Sequence, residues 1–260
     1  MGGFTSAAPI LVGRKMGAAT FLHESNAVPG RANRLLSRWA DEVLVGMAPA
    51  AERFGKSRAV LTGTPVRDEF RGLDQRACRE TLGLPPDQPM VLVIGGSQGA
   101  RGVNRLITAA SSDWLGVSLL HICGAMDEAE VREAYAGTAL DVQVHAFLKA
   151  MPQALSAATV AVSRAGASSI AELAAARVPA VFIPLPNSAD DHQRANAAAV
   201  AAAGGGQVLE QHETSPSELG GVVQDLVEDD QARTNMADGM AALDRPESAA
   251  QITDRILRRL

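Results

Sequence analysis

A glycine-rich stretch, Gly-Gly-Ser-Gln-Gly at residues 95–99, is the first place in the sequence where residue types and spacing indicate chemistry. It follows a β-branched apolar run at residues 91–94 and precedes a helical pattern, so it predicts a strand, a tight turn and a helix. Glycines let the backbone approach a ligand, and the first amides of the helix attract an anion. The turn therefore predicts a diphosphate site, although its spacing is neither the dinucleotide fingerprint nor a Walker loop with its lysine.

A second stretch, residues 163–172, again joins a strand pattern to a helical pattern through small residues. Ser169 and Glu172 have the spacing of a capping box, in which the two side chains satisfy the first amides of a helix. The Glu172 carboxylate could equally accept hydrogen bonds from a sugar diol, with the small residues letting the ligand lie against the backbone. Both interpretations stay open on the sequence alone.

A third stretch, residues 184–193, ends in Asp-Asp-His-Gln at the expected start of a helix. Acidic residues are favoured there by the helix dipole, which is sufficient to explain Asp190 and Asp191. His192 and Gln193 are the better binding candidates, because a pair of hydrogen-bonding side chains suits the hydroxyl groups of a sugar.

The composition excludes several classes of protein. A chain of 260 residues that is 47% hydrophobic can bury one large core or two modest ones. A net charge of −5 and an aromatic content of 3% argue against a nucleic-acid partner. Cys78 and Cys123 are too few and too distant for a metal cluster or a disulfide framework, which suits the reducing cytoplasm. Runs of apolar residues fall short of the roughly 18 to 20 that a membrane span needs.

Strand and helix patterns alternate along most of the chain, which predicts an α/β fold with a doubly wound parallel sheet. The carboxyl ends of such strands face one crevice, so the three polar stretches are expected to meet there. Before the glycine turn, we predict strands at residues 18–22 and 42–45 and a helix at 33–39. From residue 85 onward, we predict strands at 90–94, 117–122, 142–145, 159–162 and 180–183, and helices from Val103, Glu128, Ser169 and about Asp190. The C-terminal part predicts helices at 217–227, 230–243 and 248–260.

Five motifs together closely resemble the MurG family of bacterial glycosyltransferases, in glycosyltransferase family 28. In chain order they are His-Glu-Ser-Asn-Ala-Val-Pro-Gly at 23–30, Gly-Thr-Pro-Val-Arg at 63–67, Gly-Gly-Ser-Gln-Gly-Ala at 95–100, Ser-Arg-Ala-Gly-Ala at 163–167, and Asp-His-Gln at 191–193 with Asn196. The resemblance covers nearly the whole chain, and the motifs keep compatible spacing.

The resemblance implies a glycosyltransferase B fold, with two Rossmann-like domains that face each other over a cleft. It implies that residues 1–66 are an incomplete N-terminal acceptor domain, that 67–243 form the UDP-sugar domain, and that 244–260 form a helix that packs back on the first domain. The implied activity is transfer of N-acetylglucosamine (GlcNAc) from UDP-GlcNAc to undecaprenyl-linked muramoyl-pentapeptide, in peptidoglycan synthesis. Such an enzyme would be cytoplasmic, with peripheral contact to the inner face of the cell membrane.

The family's donor-site residues carry over to matching positions of this sequence. At the donor diphosphate, the resemblance places the glycine turn, namely Gly96, Ser97, Gln98 and Gly99. Near the uracil it places Arg67 and the backbone of Leu148.

The sugar-binding residues carry over in the same way. Glu172 falls at the ribose hydroxyls, and His192 and Gln193 fall at the GlcNAc hydroxyls. The small residues Ala167, Ser168 and Ser169 fall beside the diphosphate and the sugar. Asn26 and His23 are expected to line the cleft, and the resemblance implies neither a metal nor another cofactor.

The sequence also departs from the family pattern. Gly-Gly-Phe-Thr-Ser at residues 2–6 resembles a glycine loop that lies well inside the family's N-terminal domain. We therefore expect the family's first strands, first glycine loop and the histidine proposed as its catalytic base to be missing, which leaves the catalytic residues unassigned. Truncation of a transferase is the favoured explanation. The alternatives are a non-catalytic UDP-sugar-binding domain, or one subunit of a split enzyme whose partner chain supplies the missing half.

Overall fold

We describe the fold from a computed structural model, which covers residues 3–54, 59–96, 100–186, 188 and 191–259. Within these residues, nine strands form two sheets, and all the strand pairs are parallel. This confirms the predicted α/β class and the predicted pair of parallel sheets. The described helices include none that is both long enough and apolar enough to cross a membrane.

The first sheet has three strands in the order β1-β2-β3, and it carries its own small core. Its strands are β1 (Phe21–Glu24), β2 (Glu42–Val45) and β3 (Ala59–Leu61), and its helices are α1 (Ala7–Lys15), α2 (Arg31–Leu36) and α3 (Ala48–Phe54). Apolar residues of the helices, such as Ile10 and Leu36, pack with Leu22, Val43 and Val45 from the strands.

The second sheet has six strands in the order β6-β5-β4-β7-β8-β9. Its strands are β4 (Met90–Ile94), β5 (Ser118–Ile122), β6 (Asp141–His145), β7 (Val160–Ser163), β8 (Ala180–Phe182) and β9 (Gly206–Val208). Its helices are α4 (Gln75–Thr81), α5 (Arg101–Ala110), α6 (Glu128–Ala134), α7 (Met151–Ala157), α8 (Ala167–Ala175), α9 (His192–Ala202), α10 (Pro216–Glu228) and α11 (Asp230–Leu243).

The central strand β4 explains why its sequence is a continuous apolar run. Leu92 faces one buried cluster, while Val91 and Val93 face another, so the strand is covered by helices on both sides. The same holds for β7, where Ala161 and Val162 face opposite clusters. Because helices cover both faces of the second sheet at these strands, a ligand site is expected at the ends of the strands and not on a face of the sheet.

Two crossings connect the sheets, at residues 62–67 and at 243–248. Gly63 has a φ of +83°, a conformation that favours glycine, and its Cα lies against the side chain of Arg245. The last helix, α12 (Ser248–Leu257), returns to the first sheet, where Arg255 forms an ion pair with Glu42. All strands of the first sheet precede residue 66, and all strands of the second lie between 67 and 243.

Most strand predictions for the second sheet are confirmed to within a residue or two, and the strand predicted at 42–45 is β2. The strand predicted at 18–22 is displaced: β1 begins at Phe21 because Thr20 instead donates its backbone N–H to the Asp41 carboxylate, at 2.8 Å. The helix predicted at 33–39 is α2, which begins at Arg31. Several elements have no counterpart among the predicted ones, namely α1, α3, α4, α7, β3 and β9.

Candidate functional site

The candidate site lies where β4 and β7 meet, at the switch point of the second sheet. From β4 the chain continues to β5 on one side, and from β7 it continues to β8 on the other, so the loops after β4 and β7 lead away in opposite directions at the point where doubly wound sheets bind ligands. Gly95 and Gly96 follow β4, and Arg164 follows β7 with its N–H 3.4 Å from the Ile94 carbonyl oxygen. The described residues after β4 and β7 thus lie next to each other, as predicted for these two stretches.

The structure describes the first two residues of the glycine turn, Gly95 and Gly96. Gly96 has a φ of +109°, a region that L-residues rarely adopt, and Gly95 donates its N–H to the Ile122 carbonyl at 2.9 Å. Ser97, Gln98 and Gly99 lie outside the described residues. The chain is described again from Ala100, immediately before α5.

Helix α8 begins two residues earlier than predicted, which overturns the capping-box interpretation. Its N-cap is Gly166, and no side chain caps the helix. Ala167, Ser168 and Ser169 therefore form the first turn, and Glu172 lies in the second turn, where it cannot reciprocate with an N-cap side chain. The spacing matched a capping box, but the glycine supplies the extended backbone at which the helix starts.

Glu172 is a half-buried carboxylate beside the crossing between the sheets. Burial raises the pKa of Glu172, and the positive charge of Arg67 partly opposes that rise. The Arg67 guanidinium itself lies 2.7 Å from Glu69 and stacks over the ring of Phe70, with 5.2 Å between Cζ and the ring centroid. The structure thus brings Arg67 and Glu172, which are 105 positions apart in the sequence, within electrostatic range of one another.

Leu148 follows β6 and is half-buried against the core cluster that also contains Ile170 of α8. The residue before it, Phe147, is 71% exposed. Leu148 therefore lies at the same carboxyl edge of the sheet as the glycine turn.

Helix α9 begins at His192, after Asp191 in the left-handed conformation with a φ of +51°. His192 is half-buried. The Gln193 side-chain oxygen accepts a 2.9 Å hydrogen bond from the Leu185 N–H, which ties the loop after β8 to the helix. The Asp191 side chain does not form a capping hydrogen bond with α9, so any favourable interaction of this carboxylate with the helix dipole does not come from a cap. Asp190 lies outside the described residues.

Arg164 is a residue to which the sequence analysis gave no role. Its guanidinium donates to the carbonyls of Ile183 and Pro184, both at 3.0 Å, and to the side-chain oxygen of Gln211 at 2.7 Å. Burial lowers the pKa of Arg164 to about 10. This arginine fixes the loops after β7 and β8 to each other, and its position in the Ser-Arg-Ala-Gly-Ala motif was the available signal.

Asn26 and His23 lie at the junction of the two sheets. The Asn26 side chain donates to Glu24 at 3.0 Å and accepts from Asn196 of α9, also at 3.0 Å. Asn196 is fully buried, and its oxygen accepts the Ala27 N–H at 2.8 Å. His23 Nε2 lies 3.0 Å from the Gly63 carbonyl oxygen, an arrangement that holds β1 to the crossing.

Two further features bound what this region can bind. An apolar cavity of about 320 Å³ lies between the first sheet and helices α8 and α9, and Ala167 is one of the residues that line it. Among the described residues, no group of three or more His, Cys, Asp or Glu side chains could hold a metal ion.

The protein has two parallel β-sheets that are flanked by helices and joined by two crossings, and the second sheet carries the glycine turn and the start of α8 at its switch point. These features define an α/β protein of the glycosyltransferase B type. The chain belongs to glycosyltransferase family 28. The model of that family's C-terminal domain matches residues 90–252, and the model of its N-terminal domain matches residues 1–45. The resemblance drawn from the five sequence motifs is therefore confirmed.

Curated relatives support the assignment. One from Synechococcus sp. (strain RCC307) is 41% identical over 221 residues, which cover 84% of this chain and 59% of the relative. One from Listeria monocytogenes serotype 4b is 33% identical over 260 residues, which cover 98% of this chain and 72% of the relative. Both are named UDP-N-acetylglucosamine–N-acetylmuramyl-(pentapeptide) pyrophosphoryl-undecaprenol N-acetylglucosamine transferase. The chain thus spans about three fifths to three quarters of the length of these relatives.

Solved structures agree. The crystal structure of MurG from Acinetobacter baumannii superposes with a TM-score of 0.81 at 29% identity, covering 99% of this chain and 72% of that chain. A UDP-GlcNAc 2-epimerase from Neisseria meningitidis, at 12% identity and a TM-score of 0.69, shares the fold.

Proposed function

We propose that this chain binds UDP-GlcNAc in the crevice of the second sheet and serves the transfer of GlcNAc to undecaprenyl-pyrophosphoryl-MurNAc-pentapeptide. The observation that carries the proposal is the convergence of the Gly95–Gly96 turn, the uncapped start of α8 and the Glu172 carboxylate at one switch point. The family and the names of the relatives supply the identity of the sugar and the acceptor.

The diphosphate is assigned to the glycine turn and the first turn of α8. Because the N-cap of α8 is glycine and no side chain caps the helix, the amides of Ala167, Ser168 and Ser169 can donate to phosphate oxygens. Gly96 lets the backbone approach from the opposite side, and Ser97, Gln98 and Gly99 are assigned to the same group by the family motif. The positive end of the helix dipole would also stabilise the departing UDP.

The nucleoside is assigned to the edge of the crevice near the crossing. A carboxylate accepts two hydrogen bonds from a vicinal diol, so Glu172 suits the ribose hydroxyls. Arg67 and the backbone of Leu148 are assigned to the uracil. Their positions beside Glu172 and at the carboxyl end of β6 support this assignment.

The GlcNAc group is assigned to the start of α9. The oxygen of the Gln193 amide is held by the Leu185 N–H, which orients its Nε2 as a donor for a sugar oxygen. His192, in the same turn, is assigned to a second hydroxyl. The reaction would be a displacement at the anomeric carbon, in which a base deprotonates the acceptor hydroxyl and UDP departs. None of the described residues is assigned as that base.

The domain division follows from the same assignment. Residues 67–243 would hold the donor, residues 1–66 would face the acceptor, and residues 244–260 would brace the two. Asn26 is assigned to the cleft between them, where its contacts with Glu24 and Asn196 support a role in shaping the acceptor side.

An exposed surface on α1 and α2 supports peripheral contact with a membrane, on its cytoplasmic face. It consists of the apolar side chains Leu11, Val12, Met16, Leu35 and Trp39, each at least 36% exposed. Arg14 donates to the Trp39 carbonyl at 2.7 Å, which brings the ends of the two helices together. Basic residues flank this apolar surface, namely Arg14, Lys15, Arg31, Arg34 and Arg38. Proteins that lie on an anionic bilayer typically insert apolar side chains into it, while surrounding basic side chains contact the lipid headgroups.

Calorimetric titration of UDP-GlcNAc into the purified chain tests the donor site. We expect saturable binding that weakens about 10-fold to 100-fold in Glu172→Ala, the loss expected for hydrogen bonds to a charged group. Glu133→Ala removes an exposed carboxylate from α6 and should bind as the wild type does. A folded chain that does not bind UDP-GlcNAc would contradict the proposal.

Incubation with radiolabelled UDP-GlcNAc and a short-chain lipid acceptor separates a transferase from a binding module. Labelled disaccharide product supports the transferase. Donor binding without transfer, even with excess acceptor, favours a non-catalytic UDP-sugar-binding domain or a subunit that needs a partner chain. Activity restored by a co-expressed N-terminal fragment of a relative would then identify the subunit case.

Flotation with phosphatidylglycerol vesicles tests the membrane surface. We expect Val12→Ser/Leu35→Ser to lose most vesicle binding, whereas Leu115→Ser, which changes a 73% exposed leucine elsewhere, should keep it. Equal flotation of both variants would contradict the assignment of α1 and α2 to the bilayer.

A further inference from the structure

A buried polar cluster lies directly behind the glycine turn and contacts both of its flanks. On the upstream flank, the Asn104 side chain packs so closely on Gly95 that a Cβ there would lie 2.8 Å from Asn104 Oδ1. On the downstream flank, Ala100 donates its N–H to Asp127 Oδ2 at 2.9 Å. The residues between the flanks are the ones that the family motif assigns to the diphosphate.

Asn104 is the hub of this cluster. Its Nδ2 donates to Asp127 Oδ2 at 2.9 Å and to the Cys123 carbonyl at 3.0 Å. Asn104 is 2% exposed and Asp127 is 4% exposed, so both groups depend on protein partners for their hydrogen bonds. One carboxylate oxygen thus joins the start of α5 to the loop after β5.

His121 orients the Asn104 side chain. Its Nε2 lies 3.1 Å from Asn104 Oδ1, and its Nδ1 lies 2.9 Å from the Tyr135 hydroxyl. Because Asn104 Oδ1 is an acceptor, Nε2 must carry the proton, and Nδ1 then accepts from the tyrosine. Burial lowers the pKa of His121 to about 3, so the ring is neutral and keeps this donor pattern at physiological pH.

We propose that Asn104 and Asp127 are positioning residues that hold both flanks of the glycine turn in the shape that receives the diphosphate of the donor. This inference rests on the proposed function, since it presumes a nucleoside diphosphate in the crevice. The hydrogen bonds and ion pairs of Asn104, Asp127 and His121 among the described residues include none to Arg67, Leu148 or Glu172, so the cluster should affect the phosphate-dependent part of binding alone.

A purely structural role makes a different prediction. If the cluster only stabilised the sheet, its loss would weaken the binding of every ligand of the crevice alike, or it would lower stability and leave affinity unchanged. Comparison of UDP with uridine separates the two cases, because both contain the base and ribose and only UDP reaches the turn.

In the experiment, UDP and uridine are titrated separately into the wild-type chain and into the variants Asn104→Ala, Asp127→Ala and Asp127→Asn. NMR spectra recorded at each step of the titration give the Kd values. We expect both alanine variants to raise the Kd for UDP about tenfold or more and to leave the Kd for uridine within about twofold. Asp127→Asn should retain near-wild-type affinity, because an amide oxygen can still accept from Ala100 and Asn104. If Asn104→Ala does not fold, the two Asp127 variants decide the question.

Each outcome has one meaning. An unchanged Kd for UDP in Asp127→Ala, or equal losses for UDP and uridine, overturns the positioning role while the donor site stands. A wild-type chain that binds uridine and UDP equally overturns the diphosphate assignment itself. A wild-type chain that binds neither overturns the proposed function and the inference with it.

Discussion

Glu172 is placed at a cost in stability, as expected for a residue selected for binding. Its carboxylate is half-buried without a capping role, and burial raises its pKa despite the nearby charge of Arg67. A group whose pKa is raised on folding stabilises the fold only while it is protonated. That contribution is present below the ordinary pKa and is lost as the pH rises through the folded value.

Glu172→Gln should therefore stabilise the chain and weaken donor binding at the same time. Burial disfavours the charged form of the carboxylate, and the neutral amide avoids that cost. Thermal unfolding at pH 7 should show a higher Tm for Glu172→Gln, and UDP-GlcNAc affinity should fall. A lower Tm would indicate that Glu172 is a structural residue.

The pH dependence of donor affinity should report the same carboxylate. Because burial raises the pKa of Glu172, affinity should begin to fall on acidification at a higher pH than an ordinary glutamate would give. Arg67→Gln removes the charge that opposes this rise, so the acid limb should move to higher pH. Measurement of the Kd for UDP-GlcNAc from pH 4 to pH 8 in both proteins tests this, and an unshifted limb would contradict the coupling.

At the residue scale, the features that could be predicted from the sequence are those that depend on neighbouring residues in the chain. The strand before the glycine turn and the helix after it were predicted and are confirmed as β4 and α5, and Gly96 between them has a positive φ. The capping-box interpretation of Ser169 and Glu172 was wrong because an equally good helix start, Gly166, lies three residues earlier. The role of Arg164 depends on carbonyls 19 and 20 positions away and on Gln211, which no local pattern reveals.

At the element scale, α10 offers a test of packing within one helix turn. A Cβ at Gly220 would lie 3.0 Å from Asp113 Cβ and 3.1 Å from the Ala110 carbonyl oxygen, whereas a Cβ at Gly221 would meet nothing within 4 Å. Gly220 thus allows α10 to approach the end of α5 closely. The two neighbouring glycines should therefore respond in opposite directions to the same substitution.

Gly221→Ala should raise the free energy of unfolding by about 0.5 to 1 kcal/mol, since alanine is the better helix former. Gly220→Ala should lower it by about 1 to 2 kcal/mol, because the overpacking outweighs the same gain. Urea denaturation of the two variants and the wild type measures both. Equal effects would contradict the close packing of α10 on α5.

The elements that the sequence predicted best are those whose burial leaves a strong periodic signal. Strands β4 and β5 are almost fully buried; β4 is a continuous apolar run, and β5 is apolar except for Ser118 and His121. The missed helices have weaker patterns: α1 contains proline and glycine, and α7 has proline near its start. Strand β9 begins at the third of three consecutive glycines and is only partly buried, so its position depends on pairing with β8 and not on its own residues.

At the scale of the whole molecule, Asn196 should couple the two sheets. It is fully buried and bonds the Ala27 N–H, the Asn26 side chain and the Ala165 carbonyl. Asn196→Ala leaves the buried Ala27 N–H without this acceptor and should lower the free energy of unfolding by about 2 to 4 kcal/mol. Asn235→Ala, on the exposed face of α11, is the control and should change it by less than about 0.5 kcal/mol.

The same substitution should also change the form of the unfolding transition. Once the contact between the sheets is weakened, the first sheet should unfold at lower urea than the second, as separate cores do. Fluorescence of Trp39, in the first sheet's region, and Trp114, in the core of the second, can follow the two. A single coincident transition in Asn196→Ala would contradict the coupling role.

The global arrangement was predictable only in part. Alternating strands and helices indicate a doubly wound parallel sheet with a switch point, which the structure confirms, and the ligand crevice expected there stays a prediction. The contacts that set one sheet against the other join residues 170 positions apart, as in the pair Asn26 and Asn196. Such contacts have no signature in a single sequence, so the domain division drawn from the resemblance stays a prediction.

A crystal structure of the chain with UDP-GlcNAc tests the central claim most directly. We predict the diphosphate between the Gly95–Gly96 turn and the first turn of α8, and the ribose hydroxyls within hydrogen-bond distance of Glu172. Nucleotide bound elsewhere, or a crevice that stays empty at saturating ligand, would contradict the assignment of this crevice as the donor site.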